Sequence, residues 1–172
     1  MASLVENLIE VLGKICDEYE NLLELSIKKT PVIISGDLEQ LSKITDGEQT
    51  VVSKINNLDH GRQDMIRDIA NVINRDVEEV TLTNIIRILE KRPTEQQKLA
   101  VVYDRLKDIT TRVQRVNSQN KELLSNALEM VEFDINMIQA MKSAPQTANY
   151  NKGANSAGGV IGMEVGGFDA KQ

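Results

Sequence analysis

The sequence predicts an all-α protein made of long amphipathic helices that pack in the manner of a coiled coil. Over most of residues 1–142, apolar residues recur in alternating steps of three and four, which places them on one stripe of an α-helix. The chain has no Trp, two Phe and three Tyr, and seams between helices are filled mainly by Leu, Ile and Val. We therefore expect an elongated antiparallel helical hairpin or a bundle of three long helices.

The first two helices are predicted at residues 3–34 and 37–74, joined by a tight turn. Pro31 lacks a backbone N–H, so the first helix should weaken or bend near its end. Gly36 can adopt a positive φ angle, and Asp37 suits the N-cap of the next helix. Glu48 occupies the apolar stripe of the second helix, where a charge fixes register or marks a diverging partner. The apolar pattern of this helix runs through Gly61, where a break is possible.

A connector with one short helix, at residues 83–90, is predicted to cap the end of the bundle. The third long helix follows at residues 93–142, with Pro93 as its first residue, where a missing N–H costs nothing. No Pro or Gly interrupts this helix after Pro93. At about 1.5 Å per residue it reaches on the order of 75 Å, so it needs other long helices to lie against.

Asn117 and Asn120 lie in the middle of the last helix, and Asn120 falls on its apolar stripe. An Asn in a helix seam lowers stability and commonly fixes register. The stripe then steps by four to Leu124 and Leu128, a stutter that locally relaxes a left-handed coil. We interpret this region as a packing element first and a partner contact second.

Residues 143–172 form a predicted flexible tail, rich in Ala, Asn, Gly and Ser, that cannot build a core alone. Apolar residues are nevertheless grouped near its end, at Val160, Ile161, Met163, Val165 and Phe168. The tail is either disordered with incidental apolar residues or a segment that orders on a partner. The predicted domains are thus a helical bundle over residues 1–142 and a partner-binding tail over residues 143–172.

Composition excludes several classes of function. The single Cys16 permits no intramolecular disulfide, and His60 lacks the Glu-x-x-His context of a di-metal bundle. No phosphate-binding loop and no hydrolase triad can be assembled, so we expect no enzyme activity, no metal and no cofactor. The net charge of −6 argues against nucleic acid, since that partner needs a concentrated cationic face. Without a signal peptide or a membrane-spanning run, the protein is expected in the cytoplasm.

Two motifs, at the first turn and in the last long helix, resemble those of the FlgN family of flagellar export chaperones. The first is Ile33-Ile-Ser-Gly-Asp-Leu-Glu-Gln-Leu41, and the second is Asn117-x-x-Asn120-x-x-Leu-Leu124-x-x-x-Leu128. Tyr150-Asn-Lys-Gly153 in the tail is similar to a short tyrosine-glycine element of the family. The order and spacing of these motifs extend the resemblance over the whole chain.

The resemblance implies a cytoplasmic, non-enzymatic chaperone for the hook-filament junction proteins FlgK and FlgL. Such a chaperone holds the C-terminal helical region of its client, prevents premature assembly and delivers the client to the export gate protein FlhA. Tyr150 is the implied contact with the gate. Client contact would fall on the end of the last helix and on the tail, through Leu124, Leu128, Val131, Ile135, Ile138, Val160, Ile161, Met163, Val165 and Phe168.

A structural coiled-coil adaptor is the alternative, because the same helices could serve stable homo-oligomerisation. The chaperone hypothesis predicts a monomer when the protein is free of client, with no stable membrane insertion. The adaptor hypothesis predicts a constitutive dimer or larger species and a tail without a role.

Overall fold

The protein is described by a computed structural model that covers residues 2–143, with side chains from Leu4 onward. The predicted all-α class is confirmed. The helices are α1 (Ala2–Ser35), α2 (Leu38–Ile73), α3 (Leu82–Ile88) and α4 (Pro93–Ser143). Two short 3-10 turns, Val77–Glu79 and Leu89–Lys91, flank α3. Helix α1 continues through Pro31 to its end at Ser35, and α2 runs unbroken through Gly61.

The turn between α1 and α2 forms as the sequence predicts. Gly36 has a φ of +70°, a left-handed conformation that glycine adopts without steric cost. The amide of Gly36 donates to the carbonyl of Ile33 at 3.2 Å, which terminates α1. The Asp37 carboxylate then accepts a hydrogen bond from the amide of Gln40 at 3.0 Å and caps the start of α2.

Helix α1 is the central element of the bundle, since it packs against both α2 and α4. It runs antiparallel to α2 and parallel to α4. The parallel direction follows from two contacts: Arg105 meets Asp17 and Glu20, and Asn120, further along α4, meets Ser26 further along α1. In the described part of the chain, no Cα atom of α2 comes within 8 Å of a Cα atom of α4.

The core is divided into two apolar clusters along the bundle. One lies at the end where α4 begins and contains Val5, Leu8, Leu12, Ile66, Ile69, Ala70, Val80, Ile85, Leu89 and Leu99. The second lies in the middle and contains Leu22, Leu23, Val51, Ile55, Ile109 and Val113. Aliphatic side chains make up both clusters, as expected for helix seams.

The connector between α2 and α4 packs as a cap on the first cluster. Val80, Ile85 and Leu89 are buried against the helices there, which is the placement that the sequence predicts. The short helix begins at Leu82, with Thr81 as its N-cap; the Thr81 hydroxyl accepts from the amide of Asn84 at 3.2 Å. Pro93 is the first residue of α4, as predicted.

Candidate functional site

The C-terminal end of α4 extends past the helices that cover the rest of it. Asn120 lies beside Ser26 and Thr30, and α1 ends five residues after Thr30, at Ser35. Leu123, Leu124 and Ala127 are half-buried, and from Leu128 onward every described residue is exposed. We call residues 128–143 the overhang. At 1.5 Å per residue it is about 24 Å long.

The overhang carries a wide apolar surface. Its large apolar side chains are between 48% and 73% exposed: Leu128, Met130, Val131, Phe133, Ile135, Met137, Ile138 and Met141. At 3.6 residues per turn these side chains cover an arc of roughly 220°. Asp134 and Lys142 are the charged residues that fall within the arc. The remaining face holds polar residues: Glu129, Glu132, Asn136 and Gln139.

Such a surface is unusual for a helix end in a soluble protein. Single exposed apolar residues are normal, whereas contiguous apolar patches mark sites of interaction. An arc of roughly 220° is about twice the stripe that a helix needs to pack against one layer of protein. The overhang can therefore contact a partner on more than one side.

The predicted contact residues divide into two groups. Leu128, Val131, Ile135 and Ile138 all lie in the apolar arc of the overhang, and Leu124 is half-buried at its root. The tail residues Tyr150, Val160, Ile161, Met163, Val165 and Phe168 lie outside the described residues. Their roles stay predictions.

Half of the apolar arc was not assigned from the sequence. The predicted core stripe continues into the overhang but does not include Met130, Phe133, Met137 and Met141, which lie on its flank. Their spacing of three, four and four residues is itself helical. Three of the six Met and one of the two Phe of the chain fall in these 12 positions, from 130 to 141. That local enrichment was the available signal, since Met is favoured at adaptable binding surfaces.

A buried polar layer lies at the root of the overhang. Asn120 is only 3% exposed, and its Nδ2 donates to the carbonyl oxygen of Ser26 at 2.7 Å. The Thr30 hydroxyl donates to Asn120 Oδ1 at 2.7 Å. This geometry supports the register role inferred for Asn120, because a shift of α4 along α1 would break both bonds. Asn117, by contrast, is exposed.

The polar layer continues from α1 to α2. The Ser26 hydroxyl donates to Glu48 at 3.0 Å, and Lys29 Nζ lies 2.8 Å from the same carboxylate. Every buried side-chain N or O atom among the described residues has a hydrogen-bond partner, so the layer carries no desolvation penalty from an unpaired group. Asn120, Ser26 and Glu48 thus connect all three long helices where α4 begins to leave them.

Burial and ion pairing shift the pKa of several ionisable groups. Burial raises the pKa of the Cys16 thiol, which keeps it protonated and poorly nucleophilic. A hydrogen bond from Arg62 lowers the pKa of the Asp59 carboxyl. In residues 2–143 no group of three or more His, Cys, Asp or Glu side chains could hold a metal ion. No described helix is long and apolar enough to cross a membrane.

Comparison with known proteins gives a family match over most of the chain. The family model described as "FlgN protein" matches residues 1–158. The chain is also similar to "Uncharacterized protein YvyG" of Bacillus subtilis (strain 168), with 26% identity over 144 residues, 84% of this chain and 83% of that protein. No solved structure matches the chain significantly.

Proposed function

The chain belongs to the FlgN family of flagellar export chaperones, and from that premise we propose that its clients are the hook-filament junction proteins FlgK and FlgL. The family is one of chaperones rather than of enzymes. In this proposal the protein acts in the cytoplasm, holds the C-terminal helical region of its client, and prevents the client from assembling prematurely. It then delivers the client to the export gate protein FlhA.

The observation that carries this proposal is the apolar arc of the overhang, which no other described residue covers. Clients that assemble through amphipathic helices have apolar stripes that must be shielded until export. A helix laid along α4 would bury Val131, Ile135 and Ile138 in the helix-in-groove mode. In the bundle, the equivalent face of α4 is covered by α1. A client helix would therefore continue the packing that α1 provides up to residue 35.

The second flank of the arc extends the same proposal. Met130, Met137 and Met141 are unbranched and polarisable, so they adapt to apolar surfaces of different shape. A chaperone with two clients, FlgK and FlgL, needs such tolerance. We therefore propose that Val131, Ile135 and Ile138 make the contact that both clients share. The Met-rich flank would adapt to the differences between the two clients.

The tail completes the proposed division of roles. Val160, Ile161, Met163, Val165 and Phe168 supply apolar surface that would add to the client contact. Tyr150 lies between this group and the overhang in sequence, and we propose it as the contact with FlhA. Separate segments for client and gate would allow both partners to be bound during handover.

Co-purification with FlgK and FlgL from the same organism tests this proposal, followed by size-exclusion chromatography with light scattering. We expect a one-to-one complex with at least one of the two. The variant Val131→Asp/Ile138→Asp should abolish the complex, because two carboxylates would be buried in an apolar contact without partners.

The matched control is Asn136→Asp/Gln139→Asp, which adds the same charge to the same helix on its polar face. It should leave the complex intact. If neither FlgK nor FlgL binds and the free protein is a tight oligomer, the adaptor hypothesis replaces this one. If both double variants weaken the complex equally, net charge rather than the apolar arc governs binding.

A further inference from the structure

The turn between α1 and α2 carries two of the three most exposed large apolar side chains in the described part of the chain. Ile34, in the last turn of α1, is 70% exposed, and Leu38, the first residue of α2, is 77% exposed. Leu38 is thus more exposed than any apolar residue of the overhang. The turn itself is made by Gly36 and Asp37, so its geometry does not call for apolar side chains at positions 34 and 38.

The register of α1 and α4 places this turn at the root of the overhang. The Thr30 hydroxyl donates to Asn120 Oδ1 at 2.7 Å, and the two helices are parallel. One helical turn further on, Ile34 follows Thr30 on the same face of α1, and Leu124 follows Asn120 on the same face of α4. Each step is about 6 Å, so Ile34 and Leu124 lie at the same height along the bundle. The apolar surface of the overhang therefore continues onto the turn.

The turn also closes one end of the path that a client helix would take. Helix α1 covers one face of α4 and ends at Ser35, and the proposed client helix occupies that face further along, against Val131 and Ile138. Because α1 ends at the turn, the near end of the client helix would meet Ile34 and Leu38. An apolar residue in the terminal turn of the client helix would be buried between them.

The charges along the overhang favour one direction for that helix. Glu129, Glu132 and Asp134 lie in the half nearest the turn, and Lys142 lies at the far end; all four are exposed. A helix carries a partial positive charge at its N-terminus and a partial negative charge at its C-terminus. A client helix parallel to α4 therefore places its positive end near the three carboxylates and its negative end near Lys142. Its positive end would also face the negative C-terminal end of α1.

We propose that the α1–α2 turn is the end wall of the client site, and that the client helix lies parallel to α4 with its N-terminal end at the turn. This inference rests on the proposed client function and adds to it a second contact and a direction. The partner that fits is an amphipathic helix with an apolar residue in its first turn, placed against Ile34 and Leu38. The client helix would thus continue α1 in both position and direction.

Calorimetric titration of the full-length chain with FlgK and with FlgL tests the contact. Ile34→Ala/Leu38→Ala should weaken binding about tenfold, because the near end of the client helix loses apolar contacts. The matched control is Val72→Ala/Val101→Ala, which truncates side chains that are 55% and 61% exposed at the opposite end of the bundle. It should change the affinity less than about twofold. All four positions are exposed, so both variants should keep the urea midpoint of the natural chain.

Photo-cross-linking tests the direction. Ser35→Cys and Ser143→Cys each provide an exposed thiol for benzophenone maleimide, one at the turn and one at the far end of the overhang. Cys16 is 0% exposed, and the natural chain treated in the same way is the blank. After irradiation of the complex, mass spectrometry should find the label at position 35 joined to the N-terminal part of the client helix. The label at position 143 should be joined to its C-terminal part.

The outcomes separate this inference from the client proposal. A complex that Ile34→Ala/Leu38→Ala leaves at its natural affinity would overturn the inference and leave the client proposal standing. Cross-links in the reverse order would overturn it as well. Cross-links from position 35 into residues 144–172, or into a second copy, in place of the client would assign the turn to those occupants. If neither FlgK nor FlgL binds the natural chain, the client proposal itself fails and this inference falls with it.

Discussion

At the scale of single residues, Asn120 shows how one polar side chain sets the position of a long helix. Asn120 falls on the apolar stripe of α4 and is almost fully buried. Its side-chain amide donates one hydrogen bond to α1 and accepts another from it. An apolar residue there would tolerate sliding of α4 along α1, because dispersion contacts are not directional. The two hydrogen bonds to α1 hold one register, and that register determines how much of α4 is left as the overhang.

We expect Asn120→Ala to lower the free energy of unfolding by about 1–3 kcal/mol, since it leaves the Ser26 carbonyl and the Thr30 hydroxyl without their partner. Urea denaturation followed by circular dichroism measures the change. Asn117→Ala, an exposed Asn on the same helix, is the matched control and should stay within about 0.5 kcal/mol of the natural chain. Equal effects in the two variants would contradict the role of the polar layer.

Tyr150 allows a second prediction at this scale, which rests on the proposed contact with FlhA. Tyr150→Ala should spare client binding but reduce capture by the cytoplasmic domain of FlhA in a pull-down. Asn151→Ala, the neighbouring substitution, should behave as the natural chain does. Normal capture of the Tyr150→Ala variant would count against a gate contact at this position.

At the scale of elements, α4 is one continuous helix with two different environments. Up to Asn120 it contributes buried residues to the core, and beyond Leu128 it makes no buried contact in the described chain. Most helical stability in proteins comes from tertiary packing of an apolar face. The overhang lacks that support and depends on the helix that precedes it.

Hydrogen exchange should therefore separate the two parts of α4. We expect amides of residues 128–143 to exchange at least about a hundredfold faster than amides of residues 99–120, because local opening of an unpacked helix end costs little. Mass spectrometry of peptic fragments gives both rates in one experiment. Addition of a bound client should slow exchange in the overhang. Equal protection of the two segments in the free protein would show that something already covers the overhang.

The tail gives a further prediction about an element. Deletion of residues 143–172 should leave helicity and the melting temperature nearly unchanged, since both core clusters are formed by residues before 114. Client affinity measured by calorimetric titration should fall, by about tenfold or about 1.4 kcal/mol, because the apolar residues near the end of the tail are lost. An unchanged affinity would remove the tail from the proposed client site.

For the molecule as a whole, the packing order leaves one wide apolar surface, the overhang, uncovered by the described residues. Helix α1 packs against both α2 and α4, and all three helices contribute side chains to the two core clusters. Because α1 ends at Ser35, no helix of the described residues covers the overhang. An incomplete bundle of this kind is suited to a chaperone, whose binding surface must be available before the client arrives.

The free protein should be a monomer of 19.2 kDa in sedimentation velocity between about 5 and 100 µM. The physical reason is Asp134, which lies within the apolar arc and would be buried against a second overhang at a cost in desolvation. Asp134→Leu should therefore increase self-association, whereas Glu129→Leu on the polar face should do so less. A dimer of the natural chain across this range would favour the adaptor hypothesis.

The all-α class, the α1–α2 turn and the start of α4 follow from the amino-acid sequence alone, because these features depend on local rules. Four features act within a few residues of the chain: helical periodicity, the conformational freedom of Gly36, the cap at Asp37 and the fixed φ of Pro93. The stripe of Leu128, Val131, Ile135 and Ile138 was found for the same reason, since periodicity marks an apolar face whether or not anything covers it.

Which part of that face is covered depends instead on how the helices pack against one another. The parallel register of α1 and α4, fixed at Ser26, Thr30 and Asn120, is a contact between residues 90 and 94 positions apart, and no local pattern encodes it. That register sets the point along α4 at which α1 ends. It therefore sets which residues of α4 form the overhang with its Met-rich flank.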